Sequence, residues 1–381
     1  NQRNTSLKTD AKKVTASQHI FLYKDNTLET PFYFLSWNGE GQLTQLYDKS
    51  AGCPVLKEGQ KGNVLEVYED KPMDFDAWDI DIYYTQKMET MGICEPVRLV
   101  EQNAFKVVLR FVYRYRRSCL AQDVILYRDS KRIDFKTRVD WQENHRLLKA
   151  AFYTDIRTTK ATYDTQFGHV ERPTHWNTSW DWARFEVCGH KWADLSETGY
   201  GVSLLNDCKY GYSIKDNAMK LSLLKSAKNP DTEADMGEHT FTYALFPHEG
   251  AVTEGGTIEE ACRLNLPAQV VAGRFKDLRR LVKISGWQAS AAGPDCVTGS
   301  INEGPDCGAG NRAAGLAREN DSERAASAAR SVQIDAVKKA EDEDCLIVRM
   351  HECRGGRATV VVSSEFPVER IMPCNLLARS R

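Results

Sequence analysis

Hydrophobic and polar residues alternate along much of the chain between about residues 27 and 267. The clearest runs are rich in aromatic and β-branched side chains and lie at residues 32–37, 105–115, 124–127, 132–141 and 239–246. Because successive side chains of a β-strand point to opposite faces, this alternation is typical of half-buried strands. The turn sequences NGEG at 38–41 and RDSK at 128–131 predict hairpins between neighbouring runs.

Helical periodicity is scarce in the same region. Many short strands with closely spaced turns favour antiparallel sheets over alternating βαβ units. The pattern therefore predicts an all-β fold, a large antiparallel super-sandwich over residues 28–284 after a lead-in at 1–27.

The composition changes at about residue 285. Residues 285–330 are dominated by small and polar side chains and contain the sequence GPDC twice. Such a segment buries too little apolar surface to offset its ordering entropy, so we expect a flexible insert with at most a short polar helix at 314–330. The cysteines of the repeats, Cys296 and Cys307, fit unpaired loop thiols better than a disulfide or a metal pair.

Strand patterns return at residues 332–337, 345–350 and 358–363, with a turn at 354–357. They predict a small β domain over residues 331–381 that is truncated at its end. The chain starts with Asn1, its first methionine is Met73, and no apolar leader is present. We therefore expect a fragment of a longer protein.

Charge excludes some partners. The 51 basic and 53 acidic residues give a net charge of −2, and no apolar run approaches the ~18 residues needed to span a bilayer. We expect neither nucleic-acid nor membrane partners. The 11 cysteines form no CxxC pair, which favours reduced thiols in a cytosolic type of compartment. The sequons at Asn4, Asn177 and Asn320 carry little weight without a leader.

Residues 166–186 (QFGHVERPTHWNTSWDWARFE) are unusually dense in aromatic and ionisable side chains. A metal centre built from His169, His175 and His190 with acidic neighbours lacks a supporting spacing, and histidines hydrogen-bonded within the sheet fit better. Cys188 near His190 lacks an oxyanion-hole loop, so packing is the default. If residues 177–181 are extended, the tryptophans of this stretch share one side. Pro173 favours a structured loop that enters a strand near 183–187.

A second acidic group surrounds Trp78 in the sequence MDFDAWDIDIYY, residues 73–84. Glycoside hydrolysis needs two carboxyl groups, and Asp79 and Asp81 would face the same side if they shared a strand. Solvated loop carboxylates are the more common outcome for such a cluster. An indole beside carboxylates is also a common way of stacking on a sugar face.

Several long segments resemble the C-terminal β region of glycoside hydrolase family 38 α-mannosidases of the cytosolic and vacuolar class. The matching stretches are GQLTQLYDKSAGCPVL (41–56), FDAWDIDIYY (75–84), the run from 162 to 197, YGVSLLNDCKYGY (200–212), FTYALFPHEG (241–250) and residues 335–360. The resemblance implies a galactose-mutarotase-like super-sandwich. It also implies that the complete protein is a retaining, metal-dependent exo-α-mannosidase acting on terminal mannose of oligosaccharides.

The resemblance places the catalytic machinery elsewhere. The family's nucleophile, acid/base and Asp/His site for zinc or another divalent metal belong to an N-terminal barrel and helical bundle that do not appear in these residues. It therefore implies no catalytic residue, metal ligand or cofactor in this chain. The expected partners are that N-terminal domain and mannose-containing oligosaccharides, with a homo-oligomer also possible, in the cytoplasm or the vacuole.

Family loops from the β region reach the rim of the active site, and two stretches here match them. The resemblance implies mannose contact or docking on the barrel by Asp76, Trp78, Asp79, Glu171, Arg172, His175 and Asn177. Trp78 would be a stacking platform. Two alternatives are an independent carbohydrate-binding module, and a mutarotase or epimerase using His175 and Glu171 as acid and base.

Overall fold

The computed structural model describes residues 20–270, 272–273, 282–286, 298–300 and 330–375. Residues 314–329 of the predicted helix, both GPDC repeats, Asn4, Asn320 and most of the lead-in at 1–27 lie outside the described residues. The chain divides into two compact units. The first comprises Asn1–Thr162 and Arg172–Pro267, and the second comprises Tyr163–Glu171 and Ala268–Arg381.

The strands range from two to thirteen residues in length. In chain order they are β1 (Leu22–Lys24), β2 (Thr27–Glu29), β3 (Tyr33–Trp37), β4 (Leu43–Asp48), β5 (Cys53–Pro54), β6 (Val64–Glu69), β7 (Met88–Thr90), β8 (Gly92–Ile93), β9 (Arg98–Gln102), β10 (Lys106–Tyr115), β11 (Ser118–Tyr127), β12 (Ile133–Trp141), β13 (Arg146–Tyr153), β14 (Lys160–Thr165), β15 (Gly168–Pro173), β16 (Val187–Cys188), β17 (Trp192–Glu197), β18 (Tyr200–Asn206), β19 (Gly211–Lys215), β20 (Ala218–Lys225), β21 (Gly237–Glu249), β22 (Lys283–Gly286), β23 (Thr298–Ser300), β24 (Val332–Lys339), β25 (Leu346–Glu352) and β26 (Thr359–Ser363). The helices are α1 (Ser179–Trp182), α2 (Thr257–Asn265) and a 3₁₀ turn at Ile82–Gln86.

Three sheets contain β1 to β21. The largest has ten strands, in the order β15-β14-β17-β18-β21-β12-β11-β10-β8, with β9 also paired to β10. A six-stranded sheet has the order β16-β19-β20-β13-β6-β7, and β1 to β5 form a third. In the largest sheet the pairs β10–β11, β11–β12, β12–β21 and β18–β21 are all antiparallel. This confirms the predicted all-β antiparallel class.

The ten-stranded and six-stranded sheets pack face to face through aromatic side chains. Phe152 of β13 lies 5.5 Å from Phe135 of β12 and 6.4 Å from Tyr243 of β21, measured between ring centroids. All three side chains are completely buried. Each aromatic side chain buries a large apolar area, so this contact contributes to the free energy that holds the two sheets together.

The later strand predictions are also confirmed. The second unit pairs β24 with β25, and joins β22, β26 and β23 in a separate sheet. The predicted turn at 354–357 connects strands of different sheets, with Gly355 in the left-handed region at φ +72°. Strand β22 begins just before the range 285–330, which was predicted as an insert, and β23 lies inside that range. Apart from these strands, residue 330 is the only position of the range that the structure describes.

Helix α2 was not predicted. Its apolar face, including Ile258, Ala261 and Leu264, packs against Trp192 and Leu205 of β17 and β18. The spacing of these apolar residues at intervals of three was a usable helical signal. No helix among the described residues has the length and apolar character needed to cross a membrane.

Candidate functional site

Two irregular segments lie over the outer face of the six-stranded sheet. We call residues 70–87, between β6 and β7, the Trp78 loop, and residues 174–186, between β15 and β16, the Trp180 segment. Tyr84 of the Trp78 loop packs edge-on against Tyr68 of β6, with ring centroids 4.9 Å apart, and also contacts Leu147 of β13. Phe185 of the Trp180 segment packs on the same cluster.

The Trp78 loop is tied to the sheet by Asp76. One oxygen of its carboxylate accepts hydrogen bonds from the backbone N–H groups of Lys228 and Asn229, at 2.6 and 3.2 Å. Nδ1 of His145 lies 3.6 Å from the same oxygen. Asp76 thus anchors the loop to the chain that follows β20 through Oδ2, while its buried Oδ1 has no hydrogen-bond partner among the described residues.

The tip of the Trp78 loop is a tight turn with exposed aromatic side chains. Phe75 adopts a left-handed conformation at φ +50°, and its carbonyl accepts from the N–H groups of Trp78 and Asp79. A bulky residue in this region costs about 1–2 kcal/mol, so other contacts must hold the turn. Trp78 is 88% exposed, and Phe75 and Asp79 are also exposed.

The carboxylates of this loop do not form a pair on a strand. Residues 79–81 are irregular, and Asp81 accepts a hydrogen bond from the backbone N–H of Met73 at 2.8 Å. The condition under which Asp79 and Asp81 would face one side of a strand is therefore not met, and both lie in a loop. The reason is that β6 ends at Glu69 and the chain returns to the sheet only at β7.

Residues Ser179–Trp182 of the Trp180 segment form a short helix, so the condition of an extended chain at 177–181 is not met. Thr178 caps α1 by accepting a hydrogen bond from the N–H of Asp181 at 3.1 Å. A helical turn destroys the period of two, so Trp176, Trp180 and Trp182 do not share a side by alternation. Trp180 is 76% exposed and Trp182 49% exposed, whereas Trp176 is half-buried with the Lys215 ammonium 3.9 Å above its ring. The strand expected near 183–187 begins only at Val187.

A buried ion pair joins the two segments beneath these exposed residues. Lys149, completely buried at the centre of β13, pairs with Glu186 of the Trp180 segment. The hydroxyl of Tyr84 donates to the same Glu186 oxygen at 2.5 Å. Burial lowers the pKa of Lys149, an effect that Glu186 opposes, and burial together with Glu186 raises the pKa of Tyr84 well above its ordinary range.

The remaining predicted residues are scattered over the two units. Glu171 is an exposed residue of β15 grouped with the second unit, while Arg172, His175 and Asn177 belong to the first. His175 lies 3.7 Å from the Asp181 carboxylate, measured from its Nδ1, and Asn177 is exposed. The structure therefore brings together the Trp78 loop and the part of the second stretch that begins at His175.

The histidines do not form a metal site. The ring of His190 packs edge-on against Tyr210, and His175 lies beside Asp181. Across the described part of the chain, no group of three or more His, Cys, Asp or Glu residues is placed to hold a metal ion. Cys188 is exposed at the edge strand β16.

The sequence did not identify Lys149 or Tyr84 as residues of this site, nor did it predict that Glu186 pairs with Lys149. One signal was available. Lys149 is the only charged residue within the apolar run LLKAAF at 147–152. A lysine there must either interrupt the buried strand or find a buried partner. The identity of that partner depends on the folded chain.

Two family models match the chain. Residues 28–233 match the glycosyl hydrolases family 38 C-terminal domain, and residues 331–381 match the glycosyl hydrolases family 38 C-terminal beta sandwich domain. Among solved structures, a glycosyl hydrolase family 38 protein from Enterococcus faecalis aligns with a TM-score of 0.66 at 15% identity, covering 95% of this chain and 42% of the other. That likeness shows the fold.

Curated relatives extend the match over almost the whole chain. Alpha-mannosidase G of Dictyostelium discoideum is 35% identical over 362 residues, which cover 92% of this chain and 30% of that protein. Human alpha-mannosidase 2C1 is 32% identical over 380 residues, covering 97% and 33%. The alpha-mannosidase of Saccharomyces cerevisiae is 32% identical and covers 87% and 29%. The chain thus spans about a third of the length of these relatives.

Proposed function

The chain belongs to the C-terminal region of glycoside hydrolase family 38, and from this premise we propose that the complete protein is a retaining α-mannosidase acting on terminal α-mannose of oligosaccharides. The bond-breaking groups and the divalent metal, zinc or another, belong to the upstream part in this proposal. Support comes from the relatives, which are named alpha-mannosidases and are about three times as long.

We propose a non-catalytic role for this chain, in which it packs on the upstream domain and shapes the edge of the substrate pocket. The observation that carries this proposal is the use of the carboxylates. Asp76 binds backbone N–H groups, Asp81 binds Met73, and Glu186 binds Lys149. Carboxylates committed in this way stabilise loops and are poorly placed to attack or protonate a sugar.

The exposed side chains of the same segments are available for contact. Trp78 offers a ring face and Asp79 a free carboxylate at the tip of the Trp78 loop, while Asn177 is exposed in the Trp180 segment. Aromatic faces beside hydrogen-bonding groups suit a sugar, and exposed apolar patches also suit a docking domain. We propose this surface, with Arg172 and His175 beside it, as the substrate rim or the docking face. Glu171, an exposed residue of β15, remains a candidate for the same role.

The test compares the complete protein with this chain alone on an aryl α-mannoside. We expect the complete protein to hydrolyse it and release mannose in the α configuration first, and the chain alone to release none. In the complete protein, Trp78→Ala should lower kcat/KM on a mannose oligosaccharide, while Phe105→Ala, an exposed aromatic side chain on another loop, should leave it unchanged. Turnover by the purified chain would overturn the non-catalytic role.

An independent carbohydrate-binding module is the second candidate, favoured by the exposure of Trp78 beside Asp79. It predicts that the isolated chain binds mannose or mannobiose in calorimetric titration and that Trp78→Ala abolishes the heat of binding. The third alternative, a mutarotase or epimerase with His175 and Glu171 as acid and base, predicts anomeric exchange above background that is lost when either residue is substituted. Cytoplasmic or vacuolar location and homo-oligomer formation stay predictions.

A further inference from the structure

We propose that Lys149, Glu186 and Tyr84 form a latch that holds the Trp78 loop and the Trp180 segment together on the sheet and so positions their exposed tryptophans. None of the three residues reaches the surface that carries Trp78. They act as positioning residues, and their effect on substrate rests on the proposed function.

The latch joins three parts of the chain that are distant in sequence. Lys149 is on β13, at the middle of the six-stranded sheet, and Tyr84 and Glu186 come from the two segments above it. The Lys149 ammonium also lies 3.3 Å from the Tyr84 hydroxyl and 5.2 Å from the centroid of its ring. Glu186 therefore receives hydrogen bonds from both the sheet and the other segment through one oxygen.

A second buried pair lies beside the latch on the same sheet face. Glu66 of β6 accepts hydrogen bonds from the hydroxyls of Tyr68 and Tyr153, at 2.5 and 2.7 Å, and pairs with the Lys220 ammonium at 2.9 Å. The two lysines and two glutamates form an electrically neutral set. Desolvating four charges has a large cost, so these pairs need nearly complete hydrogen bonding to persist. That geometry makes the latch specific for one arrangement of the segments.

Each segment is also attached to the first unit at another point, which in the Trp78 loop is Asp76, between the exposed side chains of Phe75 and Trp78. Asp76 fixes one flank of the Trp78 loop, and the backbone of Thr174 fixes the start of the Trp180 segment through Thr159 and Asp216. At the opposite end of each segment, Tyr84 and Glu186 bind each other. Losing the latch would release the C-terminal end of each segment, so the chain between Asp76 and Tyr84 and the chain between Thr174 and Glu186 would gain mobility.

The test uses the complete protein with paired substitutions. Lys149→Met and Glu186→Leu separately should lower the melting temperature, because each leaves a partner buried without its opposite charge. The double variant removes both charges and should recover most of the melting temperature. Amide hydrogen exchange in residues 72–84 and 177–186 should nevertheless be about tenfold faster in the double variant than in the original protein. Arg138→Gln with Glu238→Gln, an exposed ion pair, is the control and should change neither property.

Kinetics separate positioning from general stability. The double variant should raise KM for a mannose oligosaccharide at least about threefold, with kcat within about twofold, because groups that bind substrate lose their alignment while the chemistry lies elsewhere. Unchanged exchange in both segments would overturn the latch. Faster exchange with unchanged KM would overturn its positioning role. A complete protein that hydrolyses no mannoside would refute the proposed function, and the exchange measurement would still decide whether the latch exists.

Discussion

Asp194 of β17 is almost completely buried, and its carboxylate accepts hydrogen bonds from Ser196, Ser203 and His248 at 2.5, 2.7 and 2.8 Å. His248 is equally buried, and two glycines make room for its ring. A Cβ added at Gly255 would lie 2.1 Å from Nδ1 of His248, and one added at Gly201 would lie 2.5 Å from Cε1. The fit of this polar cluster therefore depends on the absence of two side chains.

We predict that Gly255→Ala lowers the free energy of unfolding by about 1–3 kcal/mol, because the added methyl group forces the His248 ring out of its hydrogen bond with Asp194. Urea unfolding followed by far-ultraviolet circular dichroism measures the change. Gly39→Ala is the matched control, since a Cβ there meets no atom within 4 Å. Equal stabilities for the two variants would contradict the explanation.

Single turns in this fold also depend on buried carboxylates. Asp48 ends β4 and accepts hydrogen bonds from the hydroxyl of Ser50 and the backbone N–H groups of Ser50 and Ala51, at 2.6, 2.9 and 3.1 Å. Lys131 lies 3.2 Å away. Burial acts to raise the pKa of Asp48, but these hydrogen bonds and Lys131 outweigh it, so the pKa is lowered.

A lowered folded-state pKa means that Asp48 stabilises the fold above the pKa of the unfolded chain, near 4, and loses that contribution as pH falls through the folded value. Asp48→Asn should therefore be destabilised relative to the original protein at pH 7, and the difference should shrink below about pH 4. Thermal unfolding of both proteins at several pH values tests this. A difference that grows on acidification would show that the sign is wrong.

At the scale of whole strands, the contact between the two main sheets should dominate stability. Phe152→Ala should cost about 3–5 kcal/mol, because the cavity it leaves is walled by the rings of Phe135 and Tyr243 and cannot fill easily. Phe105→Ala, at a side chain that is 65% exposed, should change stability by no more than about 0.5 kcal/mol. Denaturant midpoints and slopes for both variants check the prediction.

Across the whole molecule, the exposed aromatic side chains call for a covering partner or ligand. Trp78, Trp180 and Trp182 are exposed in segments that are otherwise well anchored, and apolar patches of this kind mark interaction surfaces. We predict that acrylamide quenches tryptophan fluorescence less in the complete protein than in this chain alone. Equal quenching in the two proteins would mean that these tryptophans stay exposed in the complete protein, which argues against docking. If quenching falls only after a mannose oligosaccharide is added, the tryptophans contact the sugar.

Strand positions and hairpins were accessible from the sequence because their signals are local. The alternation at 105–115 became β10, and NGEG became the turn between β3 and β4, with Gly41 at φ +79°. The TSWD sequence at 178–181 also carried a helix-capping signal, which the prediction of a structured loop did not use. Side-chain period and turn chemistry act over a few residues and can be read without knowing the neighbours.

The sequence alone determines that the fold is antiparallel β, and it identifies residues 73–84 and 166–186 as the two stretches dense in polar and aromatic side chains. The tertiary structure decides which residues meet. Nothing local pairs β12 with β21, or places Glu186 on Lys149, since these contacts join residues far apart in sequence. It also decides that Asp76 and Asp81 hold the Trp78 loop while Trp78 stays exposed, because a carboxylate's role depends on the donors that folding brings to it.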